Sequence, residues 1–120
     1  MAQMSTAADD DLVPLPASDQ TWLHMDRPNN LLYVRSILWF EEAPDLGDVH
    51  ALLEDRLLGR HPVFRRRAVE VDGRWHWQDD EDFDITRHVR TSRLDGDEAD
   101  LRAWIGEQFA DPLDMDHPLW

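Results

Sequence analysis

Residues 31–40, LLYVRSILWF, constrain the fold more than any other part of this chain. Successive side chains of a β-strand point to opposite faces, and here both faces are apolar. Leu32, Val34, Leu38 and Phe40 fall on one, and Leu31, Tyr33, Ile37 and Trp39 on the other. That pattern predicts a strand covered on both sides, so a layer of helix or sheet must lie above and below it. Ten residues containing Arg35 and Ser36 are too short and too polar to span a bilayer. The rest of the chain can supply the cover, with six Trp and four Phe among 120 residues. A buried Trp removes roughly 150–250 Å² from water, an upper bound of about 4–6 kcal/mol each. One domain is the expectation for this length.

Charge narrows the partners. Twenty-six acidic residues against twelve basic ones leave a net charge of −14. A field of that sign repels phosphate backbones and disfavours spreading over anionic lipid, so nucleic acid is not an expected partner. Cysteine is absent, which removes disulfides, thiolate nucleophiles and thiolate metal ligands. The first residues lack the basic and apolar regions of a signal peptide, and no stretch reads as transmembrane, so a soluble cytoplasmic protein is expected.

Along the chain, residues 1–13 read as a disordered acidic head and residues 14–120 as the folded part. A short helix is predicted over 18–25, starting at Pro16 or Ser18. Residues 45–58 carry Leu46, Val49, Leu52, Leu53 and Leu57 on one helical stripe, with Gly59 as the stop. Residues 65–77 read as a hairpin around Asp72-Gly73. The preferred register has a three-residue loop, Val71-Asp72-Gly73, pairing Glu70 with Arg74 and Val69 with Trp75. An acidic turn over 78–84 precedes a partly wet strand over 85–94. Residues 97–109 form a second amphipathic helix, with Asp97 as N-cap and Leu101, Trp104, Ile105 and Phe109 on its apolar face. Helices alternating with strands of mixed character predict an α/β layered domain.

Candidate chemistry is sparse. His50 and Glu54 stand four apart on a helix, the spacing of a metal pair, but a third ligand is missing and a solvated helical pair is the expectation. His76 and Asp80 form an H-x-x-x-D string across a strand end and a turn, which reads as coincidence. Asp79, Asp80, Glu81, Asp82 and Asp84 lack the Gly and distal Glu of a calcium loop and read as a solvated turn. Arg60, Arg65, Arg66 and Arg67 are expected to form a polar strand face and ion pairs. No G-x-S-x-G and no Gly-rich phosphate loop occurs.

The order of several modest segments adds a resemblance. Pro14-Leu15-x-x-x-Asp19 followed by Trp22-Leu23-x-Met25 resembles the opening signature of the bacterial wax ester synthase/acyl-CoA:diacylglycerol acyltransferase family. Arg60-His61-Pro62-Val63-Phe64-Arg65-Arg66-Arg67 resembles the segment after that family's first long helix. Trp75-x-Trp77 and Phe83-Asp84-Ile85-x-x-His88-Val89-Arg90 resemble its next strands. Pro112-Leu113-Asp114-x-x-x-Pro118-Leu119-Trp120 is similar to its "PLD…RPLW" passage, with His117 where Arg is usual. Pro16 stands where the family usually has Ser.

The resemblance spans residues 14–120 and implies the N-terminal part of a chloramphenicol acetyltransferase-like half-domain, a mixed sheet with packed helices. Such enzymes have two similar halves with the active site in a tunnel between them. The second His of an HHxxxDG motif acts there as general base on the acceptor hydroxyl, which attacks an acyl-CoA thioester. The implied reaction is long-chain acyl transfer to diacylglycerol or a fatty alcohol. The implied partners are those substrates and the other half of the enzyme. No further cofactor is implied, and a location peripheral to membranes or lipid droplets is. HHxxxDG does not occur in these 120 residues, so no catalytic residue is assigned. The expectation is a chain truncated before its catalytic motif and inactive by itself. Pro14, Leu15, Asp19, Pro118, Leu119 and Trp120 are the family-motif positions, read as mostly structural. Asp19 is expected to serve the helix dipole, and Trp120 to pack in the core or wall the acyl tunnel. The alternatives are a fragment of a peptide-synthesis condensation domain, or a non-catalytic interaction remnant.

Overall fold

The computed structural model describes residues 11–120. Most of the predicted acidic head therefore lies outside the described residues, but Val13, assigned to it, belongs to the sheet. Strand β1 (Val13–Pro14) pairs antiparallel with β3 (Arg74–Asp79), Val13 opposite Trp77 and Pro14 opposite His76. β3 also pairs with β2 (Arg66–Val71), giving the order β1-β3-β2. The sheet is antiparallel throughout, where the resemblance implies a mixed one, because its two pairings are a tight hairpin and a short returning edge.

The hairpin corrects the predicted register. Val71 faces Arg74 and Val69 faces His76, so the loop has two residues, not three. Asp72 and Gly73 both have positive φ, 51° and 75°. That is the type I′ turn, whose twist matches the right-handed twist of the strands it joins. The matched side-chain character of the other register did not outweigh turn geometry. A Cβ on Gly73 would meet nothing within 4 Å, so Gly73→Ala probes backbone conformation alone. We expect it to cost about 1 kcal/mol, read as a shift in the urea midpoint. An unchanged midpoint would contradict the left-handed geometry.

Helix α1 (Ala17–Met25) starts after Pro16, whose side chain cannot cap it. Gln20 ties α1 to the sheet instead. Its Nε2 donates to the Leu15 carbonyl (3.2 Å) and its Oε1 accepts from the Trp75 N–H (3.1 Å). Helix α2 (Leu46–Leu53) is capped by Asp45, the first residue of the predicted span, and widens into a π-helical turn, Glu54–Leu58. Gly59 closes that turn through its N–H to the Glu54 carbonyl, 2.8 Å. A Cβ there would sit 3.0 Å from two backbone carbonyl oxygens, so the close approach favours glycine. A 3₁₀ turn, Pro62–Arg65, leads into β2.

Two predicted strands are absent from the described residues. Residues 85–94 start with a single helical turn, α3 (Ile85–His88), and continue irregularly. Asp84 accepts from the Thr86 N–H (2.9 Å) and hydroxyl (2.7 Å), a local cap that competes with an extended backbone. Those two bonds hold the Asp84 carboxyl below its ordinary pKa, the Thr86 hydroxyl first. Residues 31–40 form no ladder either. Their anchors are single bonds: the Leu32 N–H to Asp26 Oδ1 (3.1 Å), the Leu113 N–H to the Tyr33 hydroxyl (3.0 Å), and Arg35 to two carbonyls. Leu31 to Tyr33 are half-buried, but with no strand beside it the rest of the apolar pattern is left open. Val34 is fully exposed, and Leu38, Trp39 and Phe40 are 76, 72 and 64% exposed.

Helix α4 (Glu98–Ala110) covers its predicted span and carries a full capping box, while Phe109, assigned to its apolar face, is exposed. Asp97 accepts from the Ala99 and Asp100 N–H groups, and Asp100 accepts from the Asp97 N–H. These bonds, the Asp100 N–H first, lower the Asp97 pKa. A carboxyl whose folded pKa is depressed contributes stability above its unfolded pKa, and that contribution fades as pH falls through the folded value. We expect the protection of first-turn α4 amides, measured against the intrinsic exchange rate at each pH, to fall on acidification below the ordinary carboxylate range. Asp97→Asn keeps an acceptor but cannot titrate, and should flatten that dependence. Equal acid sensitivity in both proteins would contradict the cap.

The core is small. Leu15, Leu58 and Ala68 are the buried hydrophobics, and no large side chain is wholly enclosed among the described residues. The surface is 9794 Å², against roughly 6,700 Å² for a compact monomer of this mass.

Candidate functional site

The family-motif positions separate into two groups in space. Pro14 and Leu15 belong to the sheet edge: Pro14 pairs with His76, and Leu15, 5% exposed, donates its N–H to the Trp75 carbonyl at 3.1 Å. Asp19 is exposed in the first turn of α1, in reach only of the Ser18 hydroxyl at 3.4 Å. That is a helix-dipole position. The remainder of the opening signature meets the Pro-Leu-Trp passage. Trp22 and Leu23 of α1, Leu32 to Val34, and Leu113, Met115, Leu119 and Trp120 line a mainly apolar cavity of about 410 Å³ that is open to solvent. Asp26 and Arg35 are the charged groups in its wall.

Trp120 is held from several sides. Its Nε1 donates to the Phe64 carbonyl (2.8 Å), and its carbonyl accepts from His88 Nδ1 (2.7 Å). The indole stacks on His88, centroids 4.5 Å apart and planes 17° apart, and His88 stacks in turn on Phe83. Phe64 meets the indole edge-on at 6.4 Å. Trp120 thus both packs and walls the cavity. Pro118, ahead of it, is buried.

His117 fastens the same passage to the end of β3. Its Nδ1 lies 3.0 Å from Asp80 Oδ2, and the Asp80 side chain is only 6% exposed. Arg87 Nη1 lies 3.2 Å from His117 Nε2. A guanidinium can only donate, so Nε2 accepts and Nδ1 carries the proton given to Asp80. Asp80 is itself fixed, its N–H donating to the Arg65 carbonyl and its Oδ1 accepting from the Asp82 N–H. A carboxylate that sets a histidine tautomer is the arrangement of a general base. Here Arg87 occupies the nitrogen that would take the proton, so the trio positions the chain.

The other candidates are spent structurally. His50 Nε2 faces the Val89 carbonyl at 3.3 Å, and His76 Nδ1 the Arg74 carbonyl at 3.0 Å. Asp79 pairs with Arg66 at 2.8 Å, Arg67 donates to Gln78, and Arg65 lies over the Phe83 ring. No three His, Asp or Glu side chains among the described residues stand close enough to hold a metal ion. Sequence reasoning missed the Asp80–His117–Arg87 trio. Its one visible signal was His117 in the place of the family's usual Arg.

Comparison with known proteins adds the class. The model of the wax ester synthase/diacylglycerol acyltransferase catalytic domain matches residues 15–120. The chain belongs to that family. It is 37% identical over 114 residues to the probable diacylglycerol O-acyltransferase tgs3 of Mycobacterium tuberculosis, a match covering 88% of this chain and 42% of that protein. It is 30% identical over 118 residues to the putative diacylglycerol O-acyltransferase Rv0895 of the same organism, covering 90% of this chain and 23% of the relative. The chain therefore spans less than half the length of either relative. No solved structure matches it.

Proposed function

We propose that this chain forms the N-terminal part of a chloramphenicol acetyltransferase-like O-acyltransferase domain, and that residues 14–120 are an incomplete portion of it. The reaction is transfer of a long acyl chain from acyl-CoA to diacylglycerol or a fatty alcohol, making triacylglycerol or wax ester. The observation that carries this reading is the family match running unbroken through residues 15–120, with the motifs in family order. The apolar cavity supports it, because Trp22, Leu119 and Trp120 of two motif segments wall one space suited to an alkyl chain. The 120 residues contain no HHxxxDG, and the one histidine–carboxylate pair among the described residues, His117–Asp80, has its second nitrogen facing Arg87, so the chain supplies scaffold and no general base. No helix among the described residues is long and apolar enough to cross a membrane, and a lipid acceptor is reached at the surface of a membrane or droplet.

Two assays test this. The purified chain, given a long-chain acyl-CoA and diacylglycerol or hexadecanol, should form no ester above background. Mixed with the separately expressed remainder of a relative such as tgs3, it should restore acceptor-dependent ester formation. Ester made by the chain alone would overturn the scaffold role. A folded mixture that stays inactive would overturn the acyltransferase reading and favour an interaction module, which the exposed residues 34–40 would then serve.

A further inference from the structure

A second cavity, of about 570 Å³, shares Arg35, Leu113 and Trp120 with the first and lies between α3, the C-terminal end of α4 and the Pro-Leu-Trp passage. Its wall is unlike the rest of this acidic protein. Arg35, Arg87 and Arg90 all line it, together with His88 and His117. Two carboxylates share the wall, Asp111 and Asp114, and Asp114 already accepts from the Asp116 N–H at 2.9 Å. None of the three arginines has a carboxylate within ion-pair distance among the described residues, although acids outnumber bases by more than two to one. Arg35 is occupied at the last carbonyls of α4, Gln108 and Asp111. Arg87 reaches His117 and, at 3.4 Å, the Asp82 carbonyl. The Arg90 side chain has no hydrogen bond to the described residues. Two guanidiniums with donors to spare, beside a polarised imidazole, face one recess.

We propose that this recess binds a compact phosphate-bearing anion, with Arg87 and Arg90 as its ligands. The planar five-donor fork of arginine fits phosphate oxygens, and a pair of such forks can hold a diphosphate. The net charge of −14 decides between small and extended anions. A polyanion must lie along a surface that repels it, whereas a small one entering the recess sees mostly the local charges, since screening at physiological salt acts over about 8 Å. The site stands independently of the acyl-transfer reading, because it needs no acyl donor and no catalytic step.

The test is titration of the full chain with inorganic pyrophosphate, and separately with adenosine 3′,5′-bisphosphate, by calorimetry and by NMR of the His88 and His117 ring protons. Saturable binding in the millimolar range or tighter is expected. Arg90→Gln removes no contact within the protein, so it should stay folded and weaken binding about tenfold. Arg93→Gln is the control: Arg93 is 92% exposed, pairs only with Asp95 at 3.7 Å and does not line the recess, so its binding should be unchanged. Equal affinity for the two probes assigns the site to phosphate itself, and tighter binding of the nucleotide assigns it to the phosphates of a larger ligand. No saturation with either probe, or equal loss in Arg93→Gln, overturns the proposal. Catalytic inactivity of the chain would leave both of these results intact, so the two readings fail separately.

Discussion

Replacing Trp120 by alanine should abolish cooperative unfolding of this chain. The substitution removes an indole stacked on His88, an edge contact with Phe64 and the Nε1 bond to the Phe64 carbonyl. It also leaves the Phe64 carbonyl without that donor. Large aromatic truncations in packed settings cost about 3–5 kcal/mol, and the half-buried position of Trp120 puts this one near about 3. A domain whose buried hydrophobics are Leu15, Leu58 and Ala68 has little more than that to lose. Trp120→Phe separates the two contributions. It keeps a ring to stack on His88 and forfeits the hydrogen bond together with part of the indole's packing, for about 1–2 kcal/mol. Urea unfolding followed by far-ultraviolet circular dichroism reads both. A Trp120→Ala protein with the wild-type midpoint would show that the passage rests on the surface without holding it together.

Trp120 also shows what a sequence can convey. Its importance was readable from its place in a motif, but the three residues that grip it, Phe64, Phe83 and His88, are 56, 37 and 32 positions away and no local pattern joins them. Local rules worked where the signal was local. Asp97 caps the helix predicted for it, because a cap involves neighbours in sequence and little else. The hairpin was found at the right residues and given the wrong register, because side-chain matching was ranked above the positive φ that Asp72 and Gly73 share. Residues 85–94 were read as a partly wet strand, and the Asp84–Thr86 cap that starts a helical turn there was not considered. The candidate site divided in the same way. The motif segments were legible one by one, but neither their meeting around the apolar cavity nor the Asp80–His117–Arg87 trio was, since both exist only once distant segments come together.

The misreading of residues 31–40 carries the second large expected effect. The pattern that predicts a strand covered on both faces, apolar residues on each, is present in the sequence, and the cover over its second half is absent from the described structure. Leu38, Trp39 and Phe40 stand mostly in water, an arrangement that favours burial against whatever apolar surface is available. At high micromolar concentration the chain should therefore self-associate and bind a hydrophobic dye. The triple substitution Leu38→Asn, Trp39→Gln, Phe40→Ser should abolish both behaviours. It should move the unfolding midpoint little, by about 0.5 kcal/mol or less, because these side chains are not part of the core. Sedimentation and dye fluorescence measure the first effect, and urea titration the second. The same substitution should have the opposite consequence in the complementation assay. If residues 34–40 are a surface that the remainder of an acyltransferase covers, making it polar should improve the isolated chain and prevent restoration of ester formation. A wild-type chain that stays monomeric and dye-free would mean that its own residues cover the segment in solution. A polar variant that still complements would mean that the segment is exposed in the assembled enzyme as well.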